Sequence, residues 1–296
     1  MMYVKYFILL FILFALLSCE KSITFDLDEP EPKIVVEATI ENGVAPRVVL
    51  TRSIDYFSSI SPEVLASSFI HGASISVSNG TKTHQLKEYS MPLDSGYVFY
   101  YYSIDSSNLQ TAFVGTLKTK YSLHITHEGK VFDATTTIPD ITKKIDSVYW
   151  VPAPPSADSN KVVVRVKATD PQGFGDYIRY FTKRNSEPFL PPYNSVFDDY
   201  VIDGTTYELP LEPGTDRNEK REEDEAAFFN RGDTVTLKIC NIDKPTYEFW
   251  RTMEYSYASI GNPFASPVKV TSNISNGALG YFGGYAAQYF RLTIPK

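Results

Sequence analysis

Ile34-Val35-Val36-Glu37-Ala38-Thr39-Ile40-Glu41, then Asn42-Gly43, then Arg47-Val48-Val49-Leu50-Thr51, is the stretch that decides the fold class of this chain. Ile34, Val36, Ala38 and Ile40 fall on one side of an extended backbone; Val35, Glu37, Thr39 and Glu41 fall on the other. That two-residue period is the signature of a half-buried strand. Asn-Gly accepts the positive φ of a tight turn, and the run after it is β-branched, so the pair reads as a hairpin-like start.

The pattern repeats downstream. Strands are expected at Ala73 to Ser78 before Asn79-Gly80, at Thr83 to Tyr89, at Gly96 to Ile104, and at Tyr121 to Thr126 and Val131 to Thr137. This spacing predicts a mostly-β chain whose first module, residues 33–140, is an immunoglobulin- or prealbumin-like β-sandwich. A short helix is expected at Pro62 to Ala66, after Ser61. The Pro- and Ser-rich run Val151 to Asn160 places a boundary at 141–160, followed by a second β-rich module at 161–296 with one or two short helices. There, Val162 to Ala168, Tyr177 to Thr182 and Thr234 to Ile239 read as strands. Thr246 to Ser259 reads as a helix with Tyr247, Trp250, Met253, Glu254 and Tyr257 on an inward stripe. The charged run Glu219 to Glu225 reads as surface.

With 43% hydrophobic and 14% aromatic residues, the 296-residue chain is too apolar to be disordered. Its net charge of -7 argues against a nucleic-acid partner, whose phosphates require a basic face.

Phe7 to Leu17 is an unbroken apolar run of eleven residues. At about 1.5 Å per residue it cannot cross a hydrocarbon core of about 30 Å, so residues 1–18 read as a signal peptide. It ends in Leu16-Leu17-Ser18-Cys19, which resembles the bacterial lipobox. That resemblance implies cleavage before Cys19 and acylation of Cys19 by palmitate-like chains, a stable membrane anchor. Residues 19–32, acidic and carrying Pro30 and Pro32, read as a solvated tether. Acidic residues this close to the cysteine also resemble export signals of surface lipoproteins in the Bacteroidota, which favours the cell-surface leaflet over the periplasm-facing one. Cys240 has no partner for a disulfide and reads as a strand residue.

Chemistry is sparse. No Gly-x-Ser-x-Gly, His-Glu-x-x-His, Gly-rich phosphate loop or Cys-x-x-Cys is present. No catalytic residue and no cofactor is expected. Asp198, Asp199 and Asp203 offer oxygens to a Ca²⁺ ion but lack the spacing of a dedicated calcium loop, and Asp170 and Asp176 bracket a similar turn. These are read as turn and capping residues. Gly96 to Tyr102 carries rings on both faces of one strand, and the tail repeats the theme. Tyr97, Tyr100, Tyr101, Tyr102, Tyr281, Phe282 and Tyr285 are therefore candidates for a partner or ligand surface, with internal packing as the competing reading.

Several segments together resemble one family: Pro32 to Glu37, Asn42-Gly43, Pro46 to Ser53, Ala134 to Pro139, Phe197-Asp198-Asp199, Gly261 to Pro267, Ser272-Asn273-Ile274 and Gly277 to Gly283. They are similar to the domain-of-unknown-function 4249 lipoproteins of Bacteroidota outer membranes. The resemblance implies a lipid-anchored envelope protein, often encoded beside TonB-dependent outer-membrane transporters, and brings no catalytic or binding residues with it. The function expected is a non-enzymatic accessory or ligand-capture component partnering a TonB-dependent barrel. The alternatives are a stand-alone adhesin or glycan-binding lipoprotein, and a hydrolase whose two carboxylates only folding would assemble.

Overall fold

The structure, a computed structural model, describes residues 31–54, 61–93, 96–217, 227–262, 264–266 and 268–296. The stretch read as a signal peptide, Cys19, nearly all of the stretch read as a tether and the charged run Glu219 to Glu225 lie outside the described residues. The elements are β1 (Ile34–Glu41), β2 (Arg47–Arg52), α1 (Pro62–Ser68), β3 (Ser74–Ser78), β4 (Thr83–Pro92), β5 (Val98–Ile104), β6 (Thr119–His127), β7 (Lys130–Ile138), β8 (Lys144–Pro152), β9 (Lys161–Thr169), β10 (Tyr177–Arg184), β11 (Val196–Asp198), β12 (Thr206–Leu211), β13 (Phe229–Asn230), β14 (Thr234–Ile242), α2 (Lys244–Ser259) and β15 (Leu279–Thr293).

The opening hairpin forms as expected, with Val36 opposite Leu50 and Ala38 opposite Val48. All four side chains are buried, as alternation requires. An eleven-stranded sheet grows from this pair in the order β11-β10-β14-β15-β1-β2-β5-β4-β3-β6-β7. The long strand β4 turns it into two layers: Thr83 to Gln85 pair with β3, whereas Leu86 to Pro92 pair with β5. Between the layers lie Val36, Leu50, Ile75, Leu123, Ile125 and Phe282. A second sheet of four strands has β9 at its centre, with β12 and β13 on one side and β8 on the other. Val162, Val164 and Phe229 from this sheet share a core with Val235, Leu237 and Ile294. The chain is therefore mostly β, and its layers are sandwich-like.

The expected modules 33–140 and 161–296 do not separate: Pro32–Lys296 is one compact unit. Strand β15 is the reason. Its first half runs parallel to β1, with Val36 beside Gly280, and its second half runs antiparallel to β14, with Cys240 beside Ala287. The stretch read as a boundary, 141–160, contains β8, whose Ile145, Val148 and Trp150 pack on the second core. Only the turn after Pro152 behaves as Pro and Ser content suggests.

Helix α2 starts at Asp243, whose Oδ1 accepts the Thr246 N–H, while its Oδ2 accepts from the Thr136 hydroxyl and the Thr137 N–H of β7. One carboxylate thus caps a helix and satisfies a strand edge. Tyr247 and Glu254 face inward as expected, but Phe249 is buried and Tyr257 is 46% exposed. Among the described residues, no helix is long and apolar enough to cross a membrane.

Candidate ligand cavity

Alternation along β9 turns Val166 and Ala168 inward, β10 contributes Ile178 and Tyr180, β14 adds Ile239 and β12 adds Leu209 and Leu211. Toward the Ala168 end these side chains leave a cavity of about 420 Å³ between the four-stranded sheet and the β10–β11–β14 end of the long one. That volume lies within the roughly 300–1,000 Å³ of small-ligand pockets. Tyr180, Phe197, Tyr207 and Tyr247 bring aromatic rings to it, and Tyr180 stacks on Phe197 with ring centroids 5.8 Å apart. The Tyr247 hydroxyl donates to Asp198 at 2.8 Å, and burial together with that carboxylate pushes it up to about 12. Burial raises the Tyr180 and Tyr207 hydroxyls as well, so all three stay neutral.

Two loops close one end. Asp199 accepts the N–H groups of Gly175 and Asp176 at 2.8 and 2.9 Å, and Asp203 accepts that of Gly173 at 2.6 Å. Gly173 and Gly175 hold φ of 121° and 118°, which a Cβ would oppose. Carboxylate oxygens of Asp170, Asp199 and Asp203 lie within 4.8 Å of one another. Their counter-charge comes from the chain itself. Lys143 forms an ion pair with Asp170, both side chains being almost fully buried. Burial lowers the Lys143 ammonium, opposed by attraction to Asp176, Asp199 and Asp203. On the outside, Phe174, Tyr200 and Val201 are 72%, 79% and 87% exposed. The Phe174 and Tyr200 rings lie 6.1 Å apart.

The weak calcium candidates are thus regrouped. Asp199 and Asp203 meet Asp170, a grouping the sequence reading did not make, whereas Asp198 turns away to Tyr247. Of the expected aromatic surface, Tyr97 is exposed and Tyr100 and Tyr101 are half-buried. The Tyr101 ring lies under the Arg47 guanidinium, 5.2 Å away. Tyr102, Tyr281, Phe282 and Tyr285 are buried and present no surface, a correction to the sequence reading. Tyr102 donates to the Ile70 carbonyl beneath the loop after α1. The Tyr285 hydroxyl accepts from Arg179 and from the Trp250 indole, and the Arg179 guanidinium sits 3.3 Å from the Trp250 ring centroid. These contacts fasten α2 to the sheet, with Glu254 accepting the Ser195 N–H.

Sequence reasoning missed Lys143, because a lysine between Thr142 and Lys144 carries no sign of burial. It missed the cavity because its lining comes from seven separated segments, among them β8, β11 and β12.

The sequence profile of a family described as a domain of unknown function (DUF4249) matches residues 20–291. The chain belongs to the DUF4249 family. No curated protein matches it significantly. Both the cavity and the Lys143–Asp170 pair fall inside the stretch that defines this DUF4249 member.

Proposed function

We propose that this DUF4249 chain is a lipid-anchored, non-enzymatic protein of the bacterial outer membrane that captures a small ligand and works with a TonB-dependent transporter. The observation that carries the capture reading is the cavity walled mainly by apolar and aromatic side chains, with Lys143 and Asp198 as its charged lining among the described residues. The anchor is supported by Leu16-Leu17-Ser18-Cys19 and the acidic residues after it. The transporter partnership is supported by the family resemblance.

A non-enzymatic role is consistent with how the reactive side chains are engaged. Cys240 is fully buried, and burial pushes its thiol up to about 12, which removes the thiolate that a nucleophile needs. The buried ring of His84 bonds the Thr111 hydroxyl through Nδ1 and accepts the Asp105 N–H through Nε2. His71 and His124 pair with Glu88 and Asp133 at the surface.

The test is purification of the tagged full chain from native membranes, with mass spectrometry of its mature amino terminus. An acylated Cys19 and a co-purifying barrel protein are the expected result. A bare amino terminus would remove the anchor, and recovery without any barrel would remove the partnership.

A further inference from the structure

We infer that the cavity takes an organic cation: a molecule with an apolar body and a protonated amine or quaternary ammonium group. This names a ligand class for the capture reading above and rests on it.

The body is dictated by the walls. Val166, Ala168, Ile178 and Ile239 offer no hydrogen bond, so a polar ligand would leave its own groups unpaired there. The head is dictated by charge. Among the described residues, Lys143 is the only cationic one lining the cavity, and its charge is already met by Asp170. Asp198 lines the cavity itself, and Asp199 and Asp203 lie in the adjoining loop, with Asp176 close enough to act on the same ammonium. Arg251, whose guanidinium lies 5.9 Å from the Tyr247 ring, offsets one of these carboxylates, and the others leave the end of the cavity with a surplus of negative charge. An anionic ligand is repelled, a neutral one gains nothing, and a cation is drawn in. The half-buried position of Asp198 strengthens this, since a carboxylate partly withdrawn from water is less screened.

Aromatic rings add a second attraction of the same sign. Tyr180, Phe197, Tyr207 and Tyr247 line the cavity, an aromatic ring attracts a cation, and quaternary ammonium groups suit such a setting because they need no hydrogen bond. An inorganic cation is a poorer occupant. The Lys143 ammonium already pairs with Asp170, and the walls supply rings and methyl groups where a hard metal ion requires oxygens.

The experiment uses the full chain in lipid nanodiscs, with empty nanodiscs as the blank, and three probes of one shape: 3-phenylpropylamine, 3-phenylpropan-1-ol and 3-phenylpropanoate. Binding is followed by calorimetry and placed by nuclear Overhauser contacts to the Ile178 and Val201 methyl groups. The amine is expected to bind about tenfold or more tighter than the carboxylate, with the alcohol between them. D198N should shrink that ratio while keeping the alcohol's affinity. L209W, at the partly exposed rim, should block all three without touching the deep core, and a melting curve checks that it folds. Equal binding of all three probes in the cavity would overturn the cation preference and leave the capture reading standing. Binding of none would overturn both. Amine binding unchanged in L209W would put the site elsewhere and overturn the inference.

Discussion

Replacing Gly284 by alanine drives a methyl group into the backbone of the opposite layer. Gly284 lies in β15 where β7 crosses it, and a Cβ there would sit 2.5 Å from the Thr137 carbonyl oxygen and 2.9 Å from the Ile138 nitrogen. Ordinary contacts begin at about 3.5 Å, so the layers would have to part by roughly 1 Å. Strand β7 is poorly placed to yield, because the Thr137 N–H is held by Asp243 at the start of α2. Overpacking of a close-packed core costs about 1–3 kcal/mol, and a backbone obstacle puts this case at the upper end. Alanine recovers about 0.5–1 kcal/mol of glycine's excess backbone entropy. The net expectation is a loss of roughly 2 kcal/mol. Gly283 is the control: its Cβ would meet the Tyr281 ring at 2.8 Å and the Thr246 methyl at 3.0 Å, side chains and not backbone. G283A should cost roughly half as much. Urea unfolding followed by circular dichroism gives both values as midpoint shifts at constant slope. The reasoning is refuted if G284A is as stable as the parent, or costs no more than G283A.

Four further outcomes are expected. K143M leaves the Asp170 carboxylate buried without its cation and should lose about 3–5 kcal/mol, while K143M/D170L should recover most of it; a double-mutant cycle in urea reads both. D243A should cost more than the ~1 kcal/mol of an ordinary N-cap, because two β7 groups lose their acceptor with it; a loss typical of a cap alone would count against the shared role. Burial holds the Glu254 carboxyl above its usual 4.5, so the stability it contributes is complete below that pH and is lost as pH rises through the folded value. E254Q should flatten the decline in urea midpoint as pH rises above 4.5, and an unchanged slope would speak against it. Cys240 should resist maleimide in the native protein and react on unfolding, as mass spectrometry would show; labelling at the rate of a free thiol would contradict its burial.

The strands were legible wherever one face alone is buried. Ile34 to Ile40 and Tyr121 to Ile125 alternate because water lies on one side and the core on the other. Legibility failed where both faces are covered. At the end of β14, Cys240, Asn241 and Ile242 are all buried, so the period disappears there. In β15 the glycines mark the place where two backbones pass within contact, a closeness that their sequence does not announce. The domain division misled because a Pro- and Ser-rich turn is a local signal, whereas the join between the halves is a pairing between the two ends of the chain. The acidic loops were visible as turn chemistry, and Asp199 and Asp203 do accept backbone N–H groups. Their meeting with Lys143 and Asp170 was not visible, since no spacing rule links residues brought together from separate strands.

The pairing of β1 with β15 also dictates the order of events when the polypeptide first folds. Among the described strands, the first to be made waits, with one edge bare, for the last. Such distant closure makes the search slow and leaves a long interval in which apolar strands are open to mispairing. A chain shortened before Leu279 would keep almost all of its sequence and still leave β1 and β14 as unprotected templates for aggregation. Quality control by proteases would then recognise an incomplete copy by a missing terminus.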